Sequence, residues 1–302
     1  MSSPDPFFDW YHSPLSLEDC LAGGAMILLC AIFIPLTVLV SLVMWKADKE
    51  IIGYRYLISA SFADINCMLQ YGFLNGIAIL TKNPLTHSED GRSAMQIYID
   101  IIWFSLCLHY PLVAWSRFAA IKTPIWFRSQ QRWNSYVICL GVYLVAVIMA
   151  RPEFYTLRFR RDDSLVAVVR QILLRTVSVW TAGGGFRQAR RFRYLVQGMS
   201  AMFLYLHIFC VVVPLILYLW TIALILRDRN AAAGAKSRGQ MSVEKRLMVP
   251  CIIGNVIFVI GQVAITIGTG TGKWATWTIC LIFVINSAAN CVMLLLFSPS
   301  LI

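Results

Sequence analysis

Charged side chains are scarce in this chain of 302 residues: Asp, Glu, Lys and Arg together make up 14%, against roughly 25% in soluble domains. A soluble particle of this size could not cover its surface with so few. That excludes an ordinary globular domain. A disordered chain, a collagen and a coiled coil are excluded with it. Acids are scarcer than bases, 15 against 26. The nine cysteines offer no pair outside the apolar stretches: Cys20 stands alone and the other eight lie within those stretches. A secreted disulfide scaffold is therefore excluded as well. No Asn-x-Ser/Thr sequon occurs, and no basic-then-apolar signal peptide opens the chain. What the chain has in abundance is apolar residues, 59% of the total, with a mean hydropathy of +0.68. The expectation is a polytopic membrane protein, and the count of crossings comes next.

A helix needs about 20 mostly apolar residues to cross the hydrocarbon. Seven stretches qualify: 22–45, 54–80, 94–121, 133–150, 198–226, 247–269 and 274–297. They are continuously apolar without alternation at period two, so helices are expected rather than a barrel. The expected architecture is an all-α membrane protein, a seven-transmembrane helix bundle over 22–302, preceded by an extracellular segment 1–21. That segment carries Asp5, Asp9, Glu18 and Asp19 and no Lys or Arg, which places it outside. Loops one, three and five then face the cytoplasm with 3, 4 and 6 basic residues, Arg55 and Arg117 being counted with the loops they border; loops two and six carry 2 and 1. Loop four, 151–197, stands against this with 10 Arg. With it the two sides tie at 13; without it they stand at 13 to 3. The net charge of +11 is thus spread over membrane-facing loops, where anionic headgroups meet it. No nucleic-acid partner is expected.

Polar residues inside the spans carry the functional signal. Asp64, in Ser59-Ala60-Ser61-Phe62-Ala63-Asp64, lies at mid-membrane. An acid there costs about 2.5–3.5 kcal/mol on insertion scales, so it faces the bundle and finds a partner. In the seventh span Asn286 and Asn290 are four apart and share one helix face, with Ser287 beside them. These four residues are expected to meet as a polar cluster. The third span closes in Trp115-Ser116-Arg117-Phe118-Ala119-Ala120-Ile121-Lys122-Thr123-Pro124-Ile125-Trp126-Phe127. An Arg at the boundary is bland by itself, because Arg snorkels to headgroups. The Ile four residues after it, the Pro seven after, the aliphatic eight after and the aromatic ten after are less bland.

This segment resembles the end of helix three in rhodopsin-like G-protein-coupled receptors, which reads Asp-Arg-Tyr-x-x-Ile-x-x-Pro-Leu-x-Tyr. Ser116 replaces the acid, and Phe118 and Phe127 replace the tyrosines. Asp64 and the Asn286-Ser287…Asn290 group also resemble that family's Leu-x-x-Ala-Asp and Asn-Ser-x-x-Asn-Pro-x-x-Tyr, with Cys291 and Leu294 at the Pro and Tyr positions. The resemblance covers roughly 22–150 and 198–300. It implies that Arg117, Ile121, Pro124 and Ile125, with the basic loop Arg227–Arg246, contact a heterotrimeric G protein. It also implies that Asp64, Asn286, Ser287 and Asn290 form a sodium and water pocket; a satisfied polar knot without an ion is the alternative. With Ser116 in place of the acid, Arg117 loses its nearest restraint, and basal activity is expected to be elevated. The departures are a missing mid-helix Cys-Trp-x-Pro in the sixth span and Arg92 where the family has the outer Cys of helix three. A subgroup of nematode serpentine chemoreceptors, of the Srt and Srx kind, is similar in its first-helix Ile34-Pro35 and its Gly53-Tyr54-Arg55 entry to the second span.

The resemblance further implies a small-molecule ligand between the outer halves of the helices. Retinal is not favoured: Val284 stands where the Schiff-base Lys would be, and Lys273 lies at the boundary. Amine receptors use an Asp on helix three where Ile99 stands here; neighbouring Asp100 points about 100° away. Asp100 and His109 are the candidate ligand contacts, with interhelical bonding as their plainer role. The alternative class is a small-solute transporter or channel, which would show inverted repeats and broken half-helices; none is visible, and Pro111 beside His109 is the one hint. His12, His87, His109 and His207 are scattered, so neither a metal site, a cofactor nor an enzyme is expected. The expected setting is the plasma membrane, multi-pass.

Overall fold

The computed structural model describes residues 13–83, 89–150, 199–231, 239–267 and 273–297. Seven long helices run through them. α1 spans Leu17–Ala47. α2 is one unbroken rod in three parts: an α-helix Gly53–Cys67, a π-helical turn Met68–Leu74 and a closing α-helix Asn75–Thr81. α3 spans Glu89–Lys122, α4 Arg132–Ala150, α5 Met199–Ala231, α6 Gly239–Ile267 and α7 Lys273–Phe297. A short helix, Pro124–Ser129, links α3 to α4. The long loop 151–197 and the middle of loop 227–246 lie outside the described residues.

Six of the seven are long and apolar enough to cross a membrane as they stand. α2 is not counted among them because its three parts are 15, 7 and 7 residues long, although together they run 53–81. All are helices for the reason that governs hydrocarbon: each backbone N–H and C=O must be satisfied within its own segment. Pro35, Pro111, Pro214 and Pro250 sit inside helices without ending them.

α3 is the centre of the bundle. Of its apolar window 61% is buried, against 22% in α1, α4 and α5. α2, α4, α5 and α6 all pack on it, while α7 closes the ring between α6 and α1. Large apolar side chains such as Leu28, Leu144 and Leu219 stand on the outside. A continuous apolar coat of this kind belongs against lipid, and the chain is a multi-pass membrane protein.

The two ends are closed differently. At the N-terminal end Ser16 caps α1: its Oγ accepts from the Asp19 N–H at 3.1 Å, and the Asp19 carboxylate accepts from the Ser16 N–H at 3.2 Å. Lys82, in the left-handed conformation that stops α2, pairs with the same carboxylate at 2.8 Å. At the opposite end a turn at Asp48–Glu50 returns the chain from α1 into α2. The π-helical turn lies between these ends. Its Gly72 touches α1 and α7 at once: a Cβ there would fall 2.1 Å from Cys30 Sγ and 2.9 Å from a Val284 methyl. The Cys30 thiol donates to the Met68 carbonyl at 3.2 Å, bonding α1 to the start of the turn.

Candidate functional site

Asp64 lies on the inner face of α2, where α7 packs across it. The Asn290 side-chain amide donates to Asp64 Oδ2 at 3.0 Å. Asn286, one turn earlier on α7, turns to α3 instead and donates to the Tyr110 hydroxyl at 2.8 Å. Ser287 is wholly buried against the Asp64 carboxylate without closing a hydrogen bond to it. Of the four residues expected to cluster, Asp64 and Asn290 are therefore joined directly, while Asn286 reaches α3 through a partner that sequence reasoning missed.

Two residues of α6 complete the arrangement. A Cβ on Gly254 would lie 2.4 Å from Asn290 Oδ1, so glycine alone lets the α6 backbone come this close. Phe258 stacks on the Tyr110 ring, with centroids 4.0 Å apart and planes 22° apart. Asp64 Oδ1 has no hydrogen-bond donor. Asp64, Ser61, His109, Tyr110, Tyr218 and Asn290 are among the residues lining a cavity of about 50 Å³, whose wall holds no Lys or Arg. Such a space admits about three waters. Chemically, a carboxylate walled off among neutral groups takes up a proton, a small cation or water.

His109 ties α3 to its other neighbours. Its Nδ1 lies 2.6 Å from the Ser105 carbonyl, which can only accept, so this nitrogen donates. In the neutral ring Nε2 then accepts from the Ser59 hydroxyl on α2, at 2.8 Å. The Tyr143 hydroxyl of α4 donates to the Ser59 carbonyl at 2.7 Å. Asp100 belongs elsewhere. It is buried on α3 about 13 Å along the axis from His109, and it accepts from the Gln96 amide at 3.0 Å. The two candidate ligand contacts thus do not share one site, and only His109 lines the cavity.

At the Ala47 end of the bundle Arg117 turns inward. It is 1% exposed, and its Nη2 donates to the Gly53 carbonyl at 2.9 Å. A Cβ on Gly53 would fall 2.4–2.9 Å from the guanidinium, so the side chain lies flat on bare backbone. Ser116 is wholly buried, and its hydroxyl donates back to the Val113 carbonyl at 2.7 Å. Ile121 packs inward with Ala114, Tyr218 and Met248. Pro124 opens the short helix. Ile125 is 86% exposed on it.

Tyr110 and Gly254 are the residues the sequence did not single out, while Gly53 was marked only by its place at the entry to the second span. Tyr110 stands in a His-Tyr-Pro triplet within an apolar run, which is a faint polar signal. Gly254 carries none, since its role depends on what approaches it.

Crystallised squid rhodopsin superposes with a TM-score of 0.63 at 14% identity, over 99% of this chain and 82% of the other. The fold is thus a seven-helix bundle of the rhodopsin type. The sequence matches no family model and no curated protein.

Proposed function

We propose that this chain is a G-protein-coupled receptor of the rhodopsin-like kind, a plasma-membrane chemosensor that couples binding of a small molecule to activation of a heterotrimeric G protein. The observation that carries this reading is the Asp64–Asn290 hydrogen bond at 3.0 Å, with a small polar cavity beside it, in a bundle of the rhodopsin type. The polar knot sits where α2, α3, α6 and α7 meet, so a ligand that favours one packing of these helices shifts the whole bundle. Asp64, Asn286, Ser287 and Asn290 form the core of that switch and the site for a sodium ion and waters. His109 lines the cavity beside it, and Asp100, further along α3, is the contact for the ligand. Arg117, Ile121, Pro124 and Ile125 serve the partner on the cytoplasmic face. Arg117 reaches that partner only after leaving the Gly53 carbonyl.

The likeness in the Ile34-Pro35 and Gly53-Tyr54-Arg55 segments supports the chemosensory assignment, of the nematode serpentine kind. The test is guanine-nucleotide exchange by the purified chain in vesicles with a panel of G proteins. Exchange above empty vesicles is the expected result. Solute flux without exchange on any G protein would sink the reading and favour a transporter.

A further inference from the structure

The turn between α1 and α2 holds more side chains than its length would require. Asp48 is wholly buried at the end of α1. Its Oδ2 accepts from Arg132 Nε at 2.9 Å and from the Tyr136 hydroxyl at 2.9 Å, both on α4. Its backbone carbonyl accepts from Arg55 Nε at 3.2 Å. Arg55 is buried too, and its Nη1 donates onward to the Gln130 carbonyl at 3.4 Å and to Ser135 Oγ at 3.3 Å. The Tyr56 hydroxyl donates to the Gln130 side chain at 2.9 Å. Tyr56 also stacks on Phe127 inside the short helix, with centroids 6.2 Å apart. Arg132 lies over the Trp45 ring at 4.9 Å.

These contacts fall on residues from Phe127 to Tyr136, the stretch that leads from the end of the short helix Pro124–Ser129 into α4. That helix is too short to hold its own direction, yet Ile125 and Trp126 project from it, 86% and 50% exposed. Something outside it must fix where they point.

We propose that Asp48 and Arg55 are positioning residues for partner docking. They brace the first loop against the second half of the α3–α4 connection, so that Ile125 and Trp126 are presented pre-ordered to the cytoplasmic partner. The proposal rests on the receptor reading above. Neither residue touches the partner itself, since both are buried. Their contribution is the ordering cost the partner no longer has to meet on binding. Arg55 suits the task because its planar fork spans three acceptors, which a Lys ammonium cannot do from one position.

The test has two readouts. A spin label on Ile125→Cys, in a Cys20→Ser background, reports the mobility of the short helix. Exchange measured against G-protein concentration separates its midpoint from its ceiling. Asp48→Asn and Arg55→Lys keep the side-chain volume close to native. Each is expected to raise label mobility and to move the midpoint up about tenfold, the worth of a charged hydrogen bond, with the ceiling rate kept. Arg132→Gln is expected to match Asp48→Asn, and the pair together to be no worse than either alone. An unchanged label and midpoint overturns the proposal, and so do shifts that add. Should the native chain drive no exchange on any G protein, the receptor reading fails on that result, while an immobile label in Asp48→Asn independently removes the brace.

Discussion

Gly53 and Gly254 are placed where any side chain would strike a polar group, the Arg117 guanidinium and the Asn290 amide respectively. At Gly254 a methyl would displace the Asn290 amide from Asp64. Gly254→Ala gains up to about 1 kcal/mol of helix propensity, but overpacking costs about 1–3 kcal/mol and the hydrogen bond is lost as well. The variant is therefore expected to unfold at a lower temperature in detergent; an unchanged or higher midpoint would count against the Asn290 contact. At Gly53 the outcome separates stability from signalling. Gly53→Ala pushes the Arg117 guanidinium off the carbonyl it rests on, at a site where alanine also favours the helix. Basal nucleotide exchange is expected to rise several-fold with little change in thermal stability. The Gly53 carbonyl supplies the restraint that the acid missing at Ser116 would have given, so Ser116→Asp is expected to lower basal exchange further; an equal or higher rate would show that Arg117 is not held in this way.

Among the elements, α2 departs most from what its sequence announces. Its π-helical turn puts Gly72 against Cys30 and Val284, with the Cys30 thiol on the Met68 carbonyl. Gly72→Ala is expected to destabilise by about 1–3 kcal/mol through overpacking. Adding Cys30→Ala should recover part of that loss, because the sulfur is the nearer obstacle. Thermal unfolding of the single and double variants checks this, and a double variant no better than the single would place the strain elsewhere. Nothing in the Met68-Leu69-Gln70-Tyr71-Gly72 run signals a widened turn, since the period of apolar residues is blurred by Asn66, Gln70 and Asn75. The long apolar runs of α1, α5 and α7 were legible because lipid demands them of any crossing helix. Asp64 and Asn290 were legible because polar groups at that depth are costly and stand out against their neighbours. Tyr110, Asp48 and Gly254 were not legible. Their roles arise from contacts between residues 36 to 176 apart in the chain, from Gly254 with Asn290 to Tyr110 with Asn286, and no local pattern records them.

For the molecule as a whole, the side of the membrane on which each end lies is the property from which every proposed contact follows. The proposed orientation sets the N-terminal segment, which has no Lys or Arg, outside and the Arg117 end with the exposed Ile125 in the cell. An epitope placed before Ser13 is expected to bind antibody on intact cells, and one inserted after Ile125 only after permeabilisation. The reverse pattern would remove the G protein as the partner of that face.

The three-part build of α2 has a last consequence. Without α2 the single long helices number six, and an even number of crossings would leave the start of α1 and the end of α7 facing the same compartment. The second rod, as a seventh crossing, makes the total odd, so that the start of α1 and the end of α7 face opposite compartments. Whether this one rod, interrupted by its widened turn and tied to α3, α4 and α7, crosses with the rest thus fixes the parity of the crossings.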